Sequence, residues 1–162
     1  MAFAVLPAVH ALTMLAEELP ALSLFEGLGV DDLEVVAPLF RRVTFPAGAR
    51  IFSKGEEATD LYVLESGEVV ICVPLHDGGC MDVTTVQRGG IWGWSAALGR
   101  AEYTANATCR GETTALAVRG SDLRRLIQTQ THLGKRLVER MAQLAANRPN
   151  GLRDQVMQLF ER

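Results

Sequence analysis

The chain has little of what marks nucleic-acid-binding and secreted proteins. Its 162 residues carry 16 Lys and Arg against 19 Asp and Glu, and none of the basic residues falls within the first thirty positions. A phosphate backbone calls for Lys and Arg clustered on one face, so the net charge of −3 argues against direct DNA binding. The apolar N-terminal stretch lacks a positively charged segment, which argues against a secretory signal.

Long apolar runs and cysteines are scarce as well. No stretch reaches the roughly 18 consecutive apolar residues of a transmembrane helix, so no membrane partner is expected. The three cysteines, Cys72, Cys80 and Cys109, are an odd number and too few to staple a fold of this size. They predict reduced thiols and a cytoplasmic protein.

What is present is the composition of one globular domain. With 48% hydrophobic and 22% charged residues, the chain is long enough to bury a substantial core. We expect a leading helical segment over residues 1–20, followed by a domain over residues 21–162. Within that domain, the patterns below predict a barrel at about 42–118 and C-terminal helices at about 121–162.

Two helices are predicted before the barrel. Apolar residues at helical spacing indicate a short leading helix over residues 10–19, which Pro20 ends. A second helix is expected over residues 31–40, with Asp31 as its N-cap and Glu34 three residues later, as in a capping box. Pro38 should distort its last turn, because proline lacks the N–H that the helix needs there.

The middle of the chain predicts an antiparallel β-roll. Short β-branched and aromatic runs alternate with turn residues, which is typical of a barrel or jelly roll joined by short hairpins. The predicted strands are residues 43–45, 49–53, 61–65, 68–73, 81–86, 103–109 and 113–118.

Helical periodicity returns after the barrel. Ser121 is expected to cap one helix, and a second helix carries an apolar stripe of Leu133, Leu137, Met141 and Leu144. Pro149 and Gly151 should interrupt it before a last helical segment over residues 152–160. The predicted fold class is therefore mostly β, with N-terminal helices and two to three C-terminal helices around the roll.

Several motifs together resemble the cyclic-nucleotide-binding domain superfamily, which includes the sensor halves of Crp/Fnr transcription factors. They are LFEGL at 24–28, FPAG at 45–48, IFSKGE at 51–56, LYVLESGEV at 61–69 and GIWGWSAAL at 90–98. The last resembles the family's phosphate-binding cassette and continues into YTANA at 103–107. The resemblance implies the β-roll just described and a ligand pocket at the cassette, formed by Gly93, Trp94, Ser95, Ala96, Ala97, Tyr103, Thr104 and Ala105.

The cassette departs from the family at its two charged positions. In members that bind cyclic nucleotide, a Glu accepts a hydrogen bond from the ribose 2′-hydroxyl and an Arg pairs with the cyclic phosphate. Trp94 stands at the position of the Glu and Tyr103 at that of the Arg. Losing the Arg alone should weaken binding by about two to four decades. Arg100 lies in the same loop, but its position does not match the family's Arg.

Two interpretations of Trp94 and Tyr103 follow. In one, the aromatic residues line a remodelled pocket for a different ligand, flat or apolar, with Ser95, Thr104 and Asn106 as polar contacts. In the other, the bulky side chains close the pocket, because large aromatic residues have a strong drive to be buried.

Catalytic and metal sites are not predicted. Cys72, His76 and Cys80 surround a hairpin, but their spacing matches no compact zinc signature, and they are interpreted as ordinary cysteines and a loop histidine. No Ser, His and acidic residue form a nucleophile motif. No cofactor is assigned, with cAMP or cGMP as the alternative ligand.

The sequence therefore predicts a stand-alone, non-catalytic regulatory sensor or interaction domain of the cyclic-nucleotide-binding type. One alternative is a genuine cyclic-nucleotide receptor whose missing contacts come from Arg100, Thr104 or the terminal helix. Another is a ligand-free dimerisation module. The stripe from Leu133 to Leu144 is near a heptad and favours a homodimer through the C-terminal helices, with an unknown small-molecule or protein partner. An equally ordinary interpretation packs the stripe against the barrel of the same chain.

Overall fold

Eight antiparallel strands in two four-stranded sheets form the body of the fold in the computed structural model, which describes residues 18–145 and 152–161. The strands are β1 (Phe40–Phe45), β2 (Arg50–Phe52), β3 (Asp60–Ser66), β4 (Val69–Pro74), β5 (Cys80–Val86), β6 (Ile91–Trp92), β7 (Asn106–Cys109) and β8 (Thr113–Arg119). One sheet has the order β1-β8-β3-β6 and the other β2-β7-β4-β5. This arrangement confirms the predicted β-roll.

The strand predictions differ from the structure mainly around the cassette. The two-residue strand β6, which pairs with Tyr62 and Val63 of β3, was not predicted. β7 begins at Asn106 rather than at residue 103. Residues 103–105 lie outside the ladder because the backbone of Tyr103 bonds instead to the loop before β3, with its N–H donated to Glu56 O at 2.9 Å.

Helices flank the roll at both ends. Two 3₁₀ turns, Leu19–Ala21 and Ser23–Phe25, precede α1 (Val30–Val36), which continues into a 3₁₀ turn at Ala37–Leu39. The short helix α2 (Trp94–Ala97) lies between β6 and β7. After β8 come α3 (Gly120–Thr129), α4 (Thr131–Ala145) and α5 (Leu152–Glu161). None of the described helices is long and apolar enough to cross a membrane.

Both predicted helix caps are wrong by two residues. The first hydrogen bond of α1 runs from Leu33 N to Gly29 O at 3.0 Å, so Gly29 is the N-cap and Asp31 lies inside the first turn. Asp31 still favours the helix there, because its negative charge faces the positive end of the dipole. Arg119, not Ser121, is the N-cap of α3.

The 3₁₀ turn that contains Pro38 confirms the predicted distortion at the end of α1. The predicted leading helix lies mostly outside the described residues.

Two hydrophobic clusters share the central strands. In β8, Leu116 and Val118 face the helices, whereas Ala115 and Ala117 face the interior of the roll, as the two-residue period of a strand requires. The helix-side cluster includes Phe25, Leu33, Val36, Leu61, Val63, Leu116, Leu123, Leu137, Val138, Met141, Val156 and Leu159. The barrel cluster contains Phe52, Tyr62, Leu64, Val69, Val86, Trp92, Ala96, Tyr103, Ala107, Cys109, Ala115 and Ala117.

The predicted dimer seam is part of the chain's own core. Leu133, Leu137 and Met141 are buried in the helix-side cluster, and Leu144 packs against it. Side chains already covered within one chain cannot also form the knobs of a coiled coil. The stripe therefore packs within its own chain, and a homodimer through other residues of the C-terminal helices stays a prediction.

The prediction of three reduced thiols is also wrong. Cys72 and Cys80 form a disulfide between β4 and β5, and Cys109 alone is free and buried. The hairpin pairs Cys72 with Asp82 and Pro74 with Cys80, which makes the two cysteines diagonal neighbours with Cα atoms 5.7 Å apart. That separation is typical of a disulfide. The argument from cysteines to a reducing compartment therefore no longer holds.

Candidate ligand site at the cassette

A left-handed glycine directs the chain from β6 into α2. Gly93 has φ +84°, a conformation that residues with a side chain rarely adopt. A Cβ at this position would lie 2.6 Å from the carbonyl oxygen of Asp60, so the backbone of β3 also excludes a side chain there. The family's cassette glycine is therefore required here by two independent constraints.

The residues on either side of Gly93 pack into different clusters. Trp92 is fully buried in the barrel cluster and stacks on Tyr62, with ring centroids 5.0 Å apart. Trp94 is 9% exposed and belongs to the helix-side cluster. The indole Nε1 of each tryptophan is buried and has no hydrogen-bond acceptor among the described residues. The position of the family's Glu is thus held by a side chain that connects the cassette to the helices.

Tyr103 is held by a stack on its ring and by two hydrogen bonds of its hydroxyl. Its ring is 5% exposed and stacks on Phe52, with centroids 3.6 Å apart and an interplanar angle of 5°. Its hydroxyl donates a hydrogen bond to Asp60 O at 2.7 Å and accepts one from Asp60 N at 3.0 Å. Burial raises the pKa of Tyr103 above its ordinary value, since the phenolate would lose its hydration. The Tyr103 hydroxyl is therefore committed to the backbone of β3.

Asp60 is held on its other side by an arginine. The Arg41 guanidinium forms an ion pair with the Asp60 carboxylate, with Nη2 and Oδ2 2.8 Å apart. This hydrogen bond raises the pKa of Arg41. The start of β3 is thus tied both to β1 and to the cassette loop.

A cavity of about 280 Å³ remains beside these aromatic side chains. Six of the eight predicted pocket residues line it: Gly93, Trp94, Ser95, Tyr103, Thr104 and Ala105. The other two are buried in the clusters, Ala96 in the barrel cluster and Ala97 in the helix-side cluster. Asn106 is not among the lining residues, because its Oδ1 accepts the backbone N–H of Lys54 at 2.8 Å.

Most of the apolar wall was not predicted. It comes from Phe52, Ile71, Val73, Val83, Trp92 and Leu98. Ile71 and Val73 alternate along β4 and so share one face of the strand, which is the signal that would have indicated them. Phe52 and Val83 reach the cavity through the sheet order, which a pattern along the chain does not reveal.

The charged and amide groups of the cavity lie at its edge towards α5. Arg100 lines the cavity and donates a hydrogen bond from Nη2 to Oε1 of Gln155, which is also a lining residue. Arg100 is the one charged group among the described lining residues, and no carboxylate of the described chain forms an ion pair with it. Among the described residues, the cavity lining therefore carries one positive charge and no negative charge.

The cassette helix touches α3 directly. The carbonyl oxygen of Ala96 accepts a hydrogen bond from Arg124 Nη1 and lies so close to Gly120 that a Cβ there would overlap it. The N–H of Gly120 donates to Thr59 O at 2.9 Å. The helix that follows the roll thus begins in contact with both the cassette and the start of β3.

The described residues contain no cluster of three or more His, Cys, Asp or Glu side chains that would hold a metal ion. Cys72 and Cys80 bond to each other, and His76 is exposed in the hairpin loop. The described lining of the cavity also lacks His, Cys, Lys, Asp and Glu.

A family model and a solved structure match the part of the chain that contains the cassette. The family model described as "Cyclic nucleotide-binding domain" matches residues 42–130. A putative cyclic nucleotide-binding protein from Geobacter metallireducens has a similar structure, with a TM-score of 0.71 and 24% identity over 83% of this chain and 98% of that one. That likeness concerns the fold.

Curated relatives are longer proteins. Glutaminase 1 of Bradyrhizobium diazoefficiens is 30% identical over 141 residues, which is 86% of this chain and 21% of the relative. A CRP-like cAMP-activated global transcriptional regulator of Mycobacterium tuberculosis is 25% identical over 138 residues, 85% of this chain and 62% of the relative. The chain thus spans between about a fifth and three fifths of the length of these relatives.

The relatives overturn the prediction about partners. Direct DNA binding was excluded from the net charge of −3, yet a similar protein is a transcriptional regulator. The charge argument considered only these 162 residues, whereas the chain corresponds to 62% of that regulator. A sensing domain need not carry the basic surface that a DNA-binding domain requires, so the exclusion was wrong.

Proposed function

We propose that this chain, which belongs to the cyclic nucleotide-binding domain family, is a sensing domain that does not bind cAMP or cGMP through the family's usual contacts. Family membership makes it a regulatory domain of the cyclic-nucleotide-binding type. The proposal concerns its ligand and its lack of catalysis.

One observation carries the proposal. Tyr103, at the position of the phosphate-binding Arg, both donates to and accepts from the backbone of Asp60, and its ring is stacked on Phe52. The residue therefore offers neither a positive charge nor a free donor to a phosphate. A charge-assisted hydrogen bond contributes about 1.5–3 kcal/mol, and an Arg offers two of them to a phosphate.

The Glu position supports the same conclusion. Trp94 is buried in the helix-side cluster, and the described cavity lining contains no carboxylate to accept a ribose hydroxyl. The hydroxyls of Ser95 and Thr104 have no general base among the described lining residues to activate them as nucleophiles. We therefore expect binding without chemistry.

Occupancy of the cavity is expected to act on the helices. Gln155 of α5 lines the cavity, and α2 contacts α3 through Ala96 and Gly120. A ligand that prefers one arrangement of these helices shifts the population towards it. Regulation would follow from the new positions of α3 to α5.

Thermal unfolding with cyclic nucleotides tests the proposal. A ligand at a hundred times its Kd stabilises a protein by about 2.7 kcal/mol, so micromolar binding would be obvious. We expect no shift of Tm with cAMP or cGMP at micromolar concentrations. A saturable shift with either nucleotide would refute the proposal.

A substitution pair sharpens the test. Trp94→Glu combined with Tyr103→Arg restores both charged contacts, and we expect it to create saturable cAMP or cGMP binding. The matched control, Trp94→Gln with Tyr103→Gln, also removes both aromatic side chains but introduces no charge. It should show no shift of Tm with either nucleotide. Trp94 is part of the helix-side cluster, so replacing it can prevent folding. If the double variant does not fold, Tyr103→Arg alone is tested instead. Continued indifference of a folded charged variant would mean that the pocket excludes the nucleotide by shape.

The second candidate is a cyclic-nucleotide receptor in which Arg100 replaces the missing Arg. The observation in its favour is that Arg100 lines the cavity without a carboxylate partner among the described residues. It predicts the Tm shift that the first proposal denies, and Arg100→Gln should abolish that shift.

A further inference from the structure

We infer that the cavity binds a small organic acid, one aromatic ring carrying a single carboxylate, whose charge pairs with Arg100. This inference rests on the proposed function, because it fills the cavity with something other than a cyclic nucleotide.

Charge selects an anion. Arg100 is the one ionisable cation among the described lining residues, and the same lining contains no Asp or Glu. Its described hydrogen-bond partner is the neutral amide oxygen of Gln155. A guanidinium has five donors in a planar fork, so it can hold a carboxylate with one pair and keep Gln155 with another. A single cation in the wall matches a single negative charge on the ligand.

Shape selects one ring. The cavity of about 280 Å³ is near twice the roughly 150 Å³ of a dry protein cavity that accepts benzene. It falls just below the range of about 300–1,000 Å³ in which drug-sized ligands bind. Most of the other described lining residues are apolar, with Phe52, Ile71 and Val73 among them. A ring with a short carboxylated arm suits both the size and the division into apolar and charged parts.

Missing acceptors indicate that the site is incomplete. Trp92 and Trp94 both line the cavity, and the Nε1 of each is buried without a hydrogen-bond acceptor among the described residues. Leaving a buried donor unpaired destabilises a protein, so such groups are normally satisfied. A carboxylate offers four lone-pair sites, enough for Arg100 and one indole N–H once the side chain turns towards it.

The two tryptophans also supply the measurement. They are the only tryptophans of the chain, and both line the cavity, so intrinsic fluorescence reports occupancy directly. The probes are benzoate, phenylacetate and phenylpropionate, with phenylacetamide as the uncharged counterpart, acetate as the anion without a ring, and inorganic phosphate. We expect a saturable fluorescence change with at least one phenyl carboxylate, at least ten-fold weaker binding of phenylacetamide, and no response to acetate at the same concentration.

Matched variants identify the charge. Arg100→Gln should weaken binding of the phenyl carboxylate by about 10- to 100-fold, the loss of one charge-assisted contact. Arg100→Lys keeps the positive charge but loses the paired donors of the guanidinium. Its affinity for the phenyl carboxylate should lie between that of the unmodified chain and that of Arg100→Gln. Arg125→Gln removes an exposed arginine of α3 that does not line the cavity, and it should bind like the unmodified chain.

Three outcomes overturn the inference: no saturable change with any phenyl carboxylate up to millimolar concentration, equal binding by the Arg100→Gln variant, or tighter binding of inorganic phosphate than of the phenyl carboxylates. Cyclic nucleotides tested in the same assay distinguish this inference from the proposed function. A saturable response to micromolar cAMP or cGMP refutes the proposed function, whereas silence from both nucleotides and phenyl carboxylates refutes this inference alone.

Discussion

The helix-side cluster and the barrel cluster lie on opposite faces of the same strands and differ in what they are made of. The helix-side cluster is mainly aliphatic and joins the outward side chains of β3 and β8 to the helices. The barrel cluster is built on flat rings, with Phe52 stacked on Tyr103 and Tyr62 on Trp92, and its neighbours on β7 and β8 include Ala107, Ala115 and Ala117.

The cavity lies beside the stacked rings of the barrel cluster, and Trp94 and Leu98 on the helix side complete part of its lining. The cavity is lined by Phe52, Trp92 and Tyr103 of the barrel cluster. One cluster therefore mainly stabilises the fold, and the other mainly shapes a site. The following predictions test that division, beginning with the largest effect.

A truncation in the helix-side cluster should have the largest effect on stability. Met141 is fully buried, and Met141→Ala is expected to lower the free energy of unfolding by about 3 kcal/mol through lost burial and the cavity left behind. Met157 on α5 is 39% exposed, so Met157→Ala should change it by less than about 0.5 kcal/mol. Urea denaturation measures both. Equal losses would contradict the placement of Met141 in the core.

The disulfide joins β4 to β5, the two strands that place Ile71, Val73 and Val83 in the cavity lining. Replacing Cys72 and Cys80 with serine should lower the free energy of unfolding by about 2–3 kcal/mol, the chain-entropy value for a loop this short. A reducing agent should produce the same loss in the unmodified chain and none in the double variant. Denaturation with and without the reducing agent is the measurement. An effect of the agent on the double variant would show that it acts elsewhere.

Gly93 lies between Trp92 of the barrel cluster and Trp94 of the helix-side cluster, so its replacement tests the junction of the two clusters. Gly93→Ala places a Cβ in a left-handed conformation against Asp60 O, and we expect a loss of about 2 kcal/mol of unfolding free energy. Gly111 has open space around its Cα and no left-handed backbone, so Gly111→Ala should be nearly neutral. Thermal unfolding of the pair suffices. Similar Tm values for both variants would mean that the turn adapts.

The smallest effect is expected at the Tyr103 hydroxyl. Tyr103→Phe keeps the ring stack but leaves the N–H and carbonyl of Asp60 without their partner, which should lower the free energy of unfolding by about 1 kcal/mol. Phe45→Leu, at a ring that touches the edge of Tyr62, is a control for ring contacts without a hydroxyl.

The same hydroxyl predicts a pH dependence. Tyr62 and Tyr103, the only tyrosines of the chain, both have their pKa raised by burial. Above the ordinary tyrosine pKa of 10.0, the unfolded chain loses these protons while the folded chain retains them. Stability should therefore fall as the pH rises beyond about 10, until the folded-state pKa is reached. Tyrosine absorbance and unfolding followed together measure this, and ordinary titration near pH 10 in the folded protein would contradict it.

The helix-side cluster was largely predictable from the sequence. Helical spacing indicated the apolar stripe of α4, and the predicted bounds of β3 and β8 contain the strand residues that pack against it. The caps were misplaced because Asp31 and Ser121 are good capping residues that instead lie in the first turns, where they are also favourable. Only the backbone hydrogen bonds distinguish the two places.

The barrel cluster was predictable only in part. The motif at 90–98 indicated the cassette, but not that Trp92 and Trp94 pack into different clusters or that Gln155 reaches the cavity. These facts depend on the order of strands in the sheets and on the path of α5. The Cys72–Cys80 disulfide was missed for the same reason, because a diagonal pair arises from the hairpin register and not from spacing.

The contact between Ala96 and Gly120 has a mechanical consequence. A backbone carbonyl rests against a residue that has no side chain, so no rotamer lies between the cassette helix and α3 to absorb a displacement. A movement of α2 is therefore passed to the start of α3 through backbone atoms. Where α3 rotates about that contact, the displacement of its far end grows with the length of the helix.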